Sequence, residues 1–217
     1  MKPGINQLEP ENLLSAKLGM SRETIRKAMS SLISEGIVSR WHGKGNFGHP
    51  EVTNLSMRID INSDFRRILT NSGYNVKTVR SEALILPPTE AMLNRMPEAS
   101  NKKAINFILY FYADNSLAIH CQVELLQDVV VKMPEAGEYS ENINSFLGNH
   151  CIRESNHTTA WLKAGLNEEI AGEFGLAPTI PLLEWEEVYY DIFDFKMGYL
   201  KIYFHPEIMD LSLLLKF

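Results

Sequence analysis

The sequence has few cysteines and no apolar run long enough to cross a membrane. Its two cysteines, Cys121 and Cys151, form neither a CxxC pair nor a zinc-binding spacing, so we expect two reduced thiols packed among other side chains. A helical membrane span needs about 20 consecutive apolar residues. The start, Met1-Lys2-Pro3-Gly4, has no hydrophobic stretch typical of a signal peptide. These absences predict a cytoplasmic protein and exclude a small secreted fold held by disulfides.

The histidines also show no metal-binding pattern. No two of the six share a predicted element at a ligand spacing; they are His42, His49, His120, His150, His157 and His205. The sequence contains no repeat, and its 45% hydrophobic and 22% charged residues are globular values that exclude a disordered chain. We therefore expect a folded protein without a metal and without a cofactor.

Acidic residues outnumber basic ones overall, but not at the start of the chain. Residues 1–50 carry seven Lys and Arg against four Glu, a net charge of +3, and the chain total of −6 leaves −9 for the remainder. A basic first segment followed by an acidic one favours contact with phosphates at the first segment alone.

Two helices and a hairpin are predicted in the first 50 residues. Pro10 suits the first position of a helix, and Gly19 suits its end. Ser21 is a good N-cap for a second helix. Along that helix, apolar residues recur on one face, namely Ile25, Ala28, Met29, Leu32 and Ile33. After Gly36, two short extended runs flank a glycine-rich tip at 42–45, which indicates a β-hairpin.

The pattern changes after residue 48. Residues 49–61 mix turn and extended signals and are predicted to be a linker. Short helices are then expected at 63–72, 89–95, 141–149 and 168–174, and strands at 76–86, 104–112, 116–126, 152–163, 182–190 and 197–205. Long strands with short helices between them predict an α+β domain with an antiparallel sheet over 62–217, after a first domain at 1–48.

The second helix has the side chains that a DNA-reading helix needs. Such a helix presents arginines that read guanine edges and hydroxyls that reach phosphate or base. Candidates in its first turns are Ser21, Arg22, Thr24, Arg26 and Lys27. The hairpin adds Arg40, His42 and Lys44, and its glycines allow a close approach to DNA. A solvated charged face is an equal alternative for the helix alone, but the helix and hairpin together favour DNA binding.

These motifs carry a family resemblance. The segments Leu8–Leu14, Leu18–Ala28, Glu35–Val38 and Gly43–Phe47, with Leu32 between them, resemble the GntR family of bacterial regulators. The resemblance implies a winged helix-turn-helix that binds a pseudo-palindromic operator as a homodimer. It also implies DNA contacts from Arg22, Thr24 and Arg26 in the recognition helix and from His42 and Gly43 in the wing. Asn12 replaces an arginine that many members carry, so that contact does not transfer.

Family members also carry a further helix ahead of the stretch that begins here at Lys2. That helix packs on the other two, so without it the apolar side chains of Leu14, Leu18 and Met29 would lack a packing partner. We therefore expect either a start codon further upstream or a first domain that binds DNA weakly.

The second half resembles the HutC-type branch of this family. The segments that carry this resemblance are Asn167–Ala171, Phe174–Leu176, Pro181–Leu183 and Tyr203–Glu207. It implies a UTRA domain, similar in fold to chorismate lyase, that binds a small-molecule effector. The two arginines and the acid that bind sugar phosphates in such domains align with Leu109, Phe111 and Cys121. Because an anion needs cations to offset desolvation, a phosphosugar is not the expected effector.

Other polar residues remain as effector candidates. Arg153, Ser155 and His157 would share one face of the predicted strand 152–163, and Tyr203 lies near the end of the chain. A solvated strand face is an equal alternative. Taken together, the sequence predicts an effector-controlled regulator, a repressor rather than an enzyme. Two alternatives stay open: a dimerising homologue that has lost DNA binding, and a lyase-like enzyme.

Overall fold

A computed structural model describes residues 6–61, 64–139 and 142–216. These residues form two compact units. The N-terminal unit contains the described residues up to Ile61 together with those from Leu211, and the C-terminal unit is Asp64–Asp210. The predicted α+β class is confirmed. Along the described ranges, no helix is long and apolar enough to cross a membrane.

Two helices open the N-terminal unit. Helix α1 (Glu11–Leu18) ends at Gly19, whose φ of 65° is the left-handed value that a C-cap glycine supplies. Pro10 is the N-cap rather than the first helical residue, one position earlier than expected. Helix α2 (Arg22–Ser34) begins after Ser21, whose hydroxyl accepts the Thr24 N–H at 3.1 Å.

The core of this unit lies under α2. Ile25 and Met29 are buried against Val38, as the helical spacing predicted. Ala28 is exposed, so the predicted stripe is narrower than expected. Strands β1 (Val38–Trp41) and β2 (Gly45–Gly48) form the predicted antiparallel hairpin.

The segment predicted as a linker contains a helical turn, α3 (Pro50–Thr53), which begins at a proline. Beyond it, Arg58 is 8% exposed. Its guanidinium donates from Nε to Asp60 Oδ1 at 3.1 Å and from a terminal nitrogen to Oδ2 at 2.5 Å. These hydrogen bonds lower the pKa of Asp60 below its usual value. The carboxylate therefore stabilises the fold above its unfolded pKa, and that contribution is lost as pH falls through the folded pKa.

We expect Asp60→Asn to lower the free energy of unfolding by about 2 kcal/mol at neutral pH, because it leaves a buried guanidinium without its anion. The difference from the wild type should narrow below roughly pH 4, where the unfolded carboxyl is protonated. Urea unfolding of both proteins, from neutral pH to below roughly pH 4, measures this difference in stability. The control is Asp128→Asn, which removes an exposed pair with Lys102 and should change little. A difference that does not vary with pH would contradict the assignment.

The C-terminal unit is built on one antiparallel sheet. Its helices are α4 (Phe65–Asn71), α5 (Glu90–Arg95), α6 (Ile143–His150) and α7 (Glu168–Glu173). Its strands are β3 (Val76–Arg80), β4 (Leu84–Leu86), β5 (Ala104–Ala113), β6 (Ser116–Leu126), β7 (Gly137–Glu138), β8 (His157–Gly165), β9 (Leu182–Tyr190) and β10 (Lys196–Phe204). The sheet order is β7-β3-β5-β6-β10-β9-β8, and β4 also pairs with β5.

The core of this unit lies against both faces of the sheet. Strands β5 and β6 meet through the predicted turn, where Asp114 has a φ of 54°. On one face, the ring of Phe65 packs edge-on against Phe204 with centroids 5.3 Å apart. On the other, Tyr203 packs with Ile170 and two further residues of one cluster, Phe174 and Leu182. Helix α7 begins at its predicted cap, because the Asn167 side chain accepts the Ile170 N–H at 3.1 Å.

Two strand predictions were wrong in their limits. The segment 76–86 forms two separate strands, β3 and β4. The strand predicted from 152 begins only at His157. The reason is a long-range ion pair: Arg153 donates to Asp191 at 2.5 Å, and its guanidinium lies 4.4 Å from the ring centroid of Phe195. These contacts of Arg153 hold the residues just before β8 in an irregular conformation.

Both cysteines are free and buried, as the sequence predicted. Burial raises the pKa of the Cys151 thiol to about 11 and that of Cys121 well above its usual value. Neither thiol is therefore a reactive thiolate at neutral pH.

Candidate nucleic-acid interface

A groove of about 480 Å³ lies in the N-terminal unit, between the helices and the hairpin. The side chains around it come from the start of α1, the first turns of α2 and both strands of the hairpin. They are Glu11, Asn12, Arg22, Arg26, Arg40, Trp41, His42, Gly43, Gly45 and Asn46. The groove is open and lined by several cations, which suits a polyanion better than a small enclosed ligand.

Helix α2 presents its two groove arginines from one face. Arg22 and Arg26 stand four residues apart, so they are neighbours on the helix surface. Both are exposed. The hydroxyls of Ser21 and Thr24 lie 2.9 Å apart at the start of the same helix, where the helix dipole favours a phosphate. The start of α2 therefore combines two exposed cations with the partial positive charge of the helix N-terminus.

The hairpin places a third arginine and an open backbone beside them. Arg40 donates from Nε to the Asn46 Oδ1 across the hairpin at 3.1 Å. Gly43 has a φ of 74°, and no heavy atom would lie within 4 Å of a Cβ added there. A phosphate can therefore approach its backbone closely. The Lys44 ammonium lies 4.6 Å from the ring centroid of Trp41, which holds it along the hairpin.

The structure brings together five of the predicted DNA-binding residues in this groove: Arg22, Arg26, Arg40, His42 and Gly43. It places the other four outside its lining: Ser21, Thr24, Lys27 and Lys44. Ser21 and Thr24 serve first as the helix cap. The DNA contacts themselves stay predictions for all nine residues.

Sequence reasoning missed the carboxylate in the groove. Glu11 accepts a hydrogen bond from Arg40 at 2.6 Å, and its other oxygen lies 4.0 Å from Arg26 Nε. The only sequence signal was an acid in the first turn of a helix, which usually indicates a favourable interaction with the helix dipole. Trp41, 56% exposed at the groove, was also missed.

The four predicted effector residues do not form one site. The expectation that Arg153 and Ser155 share a strand face with His157 was wrong, because both precede β8. His157 pairs with Tyr190 at one end of β9, and Tyr203 pairs with Glu184 at the other. These two positions are six steps apart along β9, or roughly 20 Å. Tyr203 is 2% exposed and packs in an apolar cluster.

The positions aligned with the sugar-phosphate arginines are apolar and inaccessible. Leu109 pairs directly with Cys121 across β5 and β6, and Phe111 lies two residues along the same face. All three are buried. One polar group on this face is Glu187, whose carboxylate accepts hydrogen bonds from Trp185 Nε1 at 2.8 Å and from the Tyr189 hydroxyl at 2.7 Å. Burial raises the pKa of Glu187. A buried cation shares this face, because Arg80 pairs directly with Leu109 and donates from Nε to the Glu135 carbonyl at 2.6 Å.

The opposite sheet face has a charged cavity of about 340 Å³ beside α5. Glu186 accepts hydrogen bonds there from Arg95 and Lys163, both at 2.8 Å. Lys201 lies 3.3 Å from Glu184. Because these charges pair with one another, a ligand would have to displace an existing ion pair. Over the three described ranges, no group of His, Cys, Asp and Glu is arranged to hold a metal ion.

Comparison with known sequences agrees with the motifs of this unit. Residues 6–47 match the family described as bacterial regulatory proteins, gntR family. Over 89 residues the chain is 40% identical to the "Probable fructoselysine utilization operon transcriptional repressor" of Escherichia coli (strain K12). The protein of the same name from Escherichia coli O157:H7 is 33% identical over 89 residues. Each match covers 41% of this chain and 36% of the relative, about a third of its length.

Solved structures share the fold over most of the chain. The "possible transcriptional regulator YydK" of Bacillus subtilis is 18% identical, with a TM-score of 0.70 over 98% of this chain and 92% of that one. PhnF of Mycobacterium smegmatis is 14% identical, with a TM-score of 0.62 over 99% of this chain and 94% of that one. These identities establish the fold alone. The family match over residues 6–47 shows that the helices and hairpin of the N-terminal unit are similar to those of the gntR family of bacterial regulatory proteins.

Proposed function

We propose that this chain is a transcriptional repressor that binds double-stranded operator DNA through its N-terminal unit. The observation that carries the proposal is the convergence of Arg22, Arg26, Arg40 and His42 on one groove within the family-matched segment. The relatives and structures compared above are regulators rather than enzymes, which supports the same class. Such a repressor works in the cytoplasm, where operator DNA lies.

The geometry supports a division of labour between α2 and the hairpin. The first turns of α2 would enter the major groove, where Arg22 and Arg26 can read base edges. The hairpin would follow the backbone, with Arg40 and His42 near phosphates and Gly43 offering its amide. The contacts to phosphate supply affinity, and those to bases supply specificity.

We further propose that the C-terminal unit is a HutC-type UTRA domain whose small-molecule effector controls operator affinity. Its likeness to the "Effector Domain of PhnF", with a TM-score of 0.63 over 75% of this chain, supports the fold of such a domain. The buried Leu109, Phe111 and Cys121 favour an effector without a phosphate. The names of the relatives make fructoselysine, an uncharged sugar joined to an amino acid, the first compound to test.

The test is a gel-shift titration of the full chain on the DNA upstream of its own start codon, at low and moderate salt. Saturable binding that weakens steeply with salt is expected, because phosphate contacts release counterions. Fructoselysine should release the DNA and free lysine should not. Loss of all binding under both salt conditions would overturn the DNA-binding proposal. If fructoselysine leaves DNA binding unchanged, fructoselysine is excluded as the effector.

Neutralising Glu11 should strengthen operator binding. Its carboxylate occupies Arg40 and lies near Arg26, so it competes with phosphate for both. We expect Glu11→Gln to tighten binding about threefold at low salt and to raise the salt slope by about one unit.

The matched control for this change is Glu9→Gln, which removes the same charge from a carboxylate that pairs with Lys17. It should leave the affinity nearly unchanged. Weaker binding by Glu11→Gln would mean that Glu11 positions Arg40 for DNA instead of competing for it.

A further inference from the structure

The last described residues of the chain fold with the N-terminal unit rather than with the sheet that they follow. Strand β10 ends at Phe204 and lies inside the sheet, between β6 and β9. Residues 211–216, which we call the C-terminal tail, nevertheless belong to the N-terminal unit. The chain therefore passes between the units twice, once before Asp64 and once after Asp210.

The start of the C-terminal tail is held along the segment 56–59. Ser212 forms an isolated parallel bridge with Arg58. Its N–H donates to the Met57 carbonyl and its carbonyl accepts the Ile59 N–H, both at 3.1 Å. Its hydroxyl donates to the Ser56 carbonyl at 2.5 Å. The backbone and the side chain of Ser212 are thus both bonded, so this residue fixes the register of the tail.

The end of the C-terminal tail contacts the C-terminal end of α2. Lys216 donates from Nζ to the carbonyls of Ile33, at 3.3 Å, and of Ser34. The last four carbonyls of a helix have no partner inside it and carry a partial negative charge, so a cation there stabilises the helix end. A Cβ added at Gly36 would overlap the Leu214 side chain and lie 2.9 Å from Lys216 Cε. The tail therefore packs directly on the residues that end the recognition helix.

The opposite end of α2 carries the groove arginines, Arg22 and Arg26. With 13 residues, α2 is about 20 Å long. A shift of its C-terminal end therefore changes how both arginines are presented, although the tail touches neither. Binding groups have to be held within about 0.5 Å of their productive geometry. Small movements of the tail are thus sufficient to change DNA binding.

We propose that the C-terminal tail positions the recognition helix for DNA and carries the state of the C-terminal unit to it. Lys216 and Leu214 are then positioning residues, which act through α2. A displacement at the end of β10 draws on the tail, loosens the last turn of α2 and lowers operator affinity. An effector that binds better when the tail is released favours that state and frees the DNA. This inference rests on the proposed function and gives it a route of regulation outside the segment 49–61.

Amide hydrogen exchange of the full chain, without DNA, tests whether the tail holds α2. Lys216→Met keeps the aliphatic stem and removes the ammonium, so exchange at residues 31–36 should become about threefold faster. Lys216→Arg should restore slow exchange, because a guanidinium also donates to carbonyls. The matched control is Lys132→Met, which removes an exposed charge from the C-terminal unit and should leave these amides unchanged. Unchanged exchange at 31–36 in Lys216→Met would overturn the inference.

Gel shift on the DNA upstream of the start codon then tests whether the tail acts on operator binding. Lys216→Met should weaken binding about threefold, and Lys216→Arg should restore it. The salt slope should not change, whereas loss of a direct phosphate contact would lower it by about one unit. A lowered slope would thus overturn the positioning role. By linkage, operator DNA should in turn slow amide exchange at Ser212 and Leu214.

A spacer between the units tests the transmission. Met209 is 6% exposed and anchors the connection between β10 and the tail, so Met209→Ala should speed exchange at residues 31–36. Inserting Gly-Ser-Gly-Ser after the exposed Asp210 leaves the tail sequence intact but lengthens this connection. In the spacer variant, Met209→Ala should no longer affect α2.

The outcomes separate this inference from the proposed function. Equal effects of Met209→Ala with and without the spacer would overturn transmission through the tail. Exchange at residues 31–36 that follows the expected pattern, in a chain that binds no operator, would overturn the proposed function alone. Operator binding that is equal in the wild type and in Lys216→Met would overturn the inference alone.

Discussion

Arg26→Ala is expected to weaken operator binding about tenfold or more, the largest loss among single substitutions in the groove. An arginine that reads a guanine edge through two hydrogen bonds contributes about 1–3 kcal/mol of discrimination. The fold should not change, because the Arg26 side chain is 65% exposed and its ion pairs with Glu11 and Glu23 are as long as 4.0 and 3.9 Å. Gel shift on the operator and on a scrambled duplex measures both affinity and specificity.

Two controls separate a base contact from a general loss of charge. Lys27→Ala changes the neighbouring residue, whose side chain does not line the groove, and should weaken binding less and equally on both duplexes. Arg67→Ala removes the same charge from an exposed residue of α4 and should have no effect. If Arg26→Ala and Lys27→Ala reduced the operator affinity equally, lining the groove would not determine which cations contact the DNA.

Local signals were sufficient to predict the elements that carry the groove. The cap at Ser21, the apolar spacing along α2 and the glycines of the hairpin act within a few residues of one another. Because these signals do not depend on distant contacts, the elements that they predict are the ones that form. The hairpin of β5 and β6 was predictable for the same reason, since its turn and its alternation are both local.

Contacts between distant residues could not be predicted in this way. Glu11 reaches Arg40 across 29 positions, and Arg153 reaches Asp191 across 38. The first contact places a carboxylate in the groove, and the second delays the start of β8. Neither has a periodic or capping signal. The predicted common strand face of Arg153, Ser155 and His157 was wrong for the same reason, because it depended on where β8 begins.

A close approach between two central strands gives the largest expected effect on stability. Gly198 of β10 pairs with Leu125 of β6, and it is buried. A Cβ added there would lie 2.5 Å from Leu125 Cδ2 and 2.7 Å from the backbone oxygen of Glu124. The strand backbone cannot withdraw without breaking its pairing, and Leu125 is fully buried. Only a residue without a side chain allows this spacing.

We therefore expect Gly198→Ala to lower the free energy of unfolding by about 3 kcal/mol, the upper range for overpacking a core. For a unit of this size that corresponds to a fall of roughly 10 °C in Tm. The matched control is Gly172→Ala in α7, where nothing lies within 4 Å of the added Cβ. It should be neutral or stabilise by about 0.5–1 kcal/mol, because alanine favours the helix. Urea and thermal unfolding measure both variants, and equal stabilities would show that β6 and β10 can separate without loss.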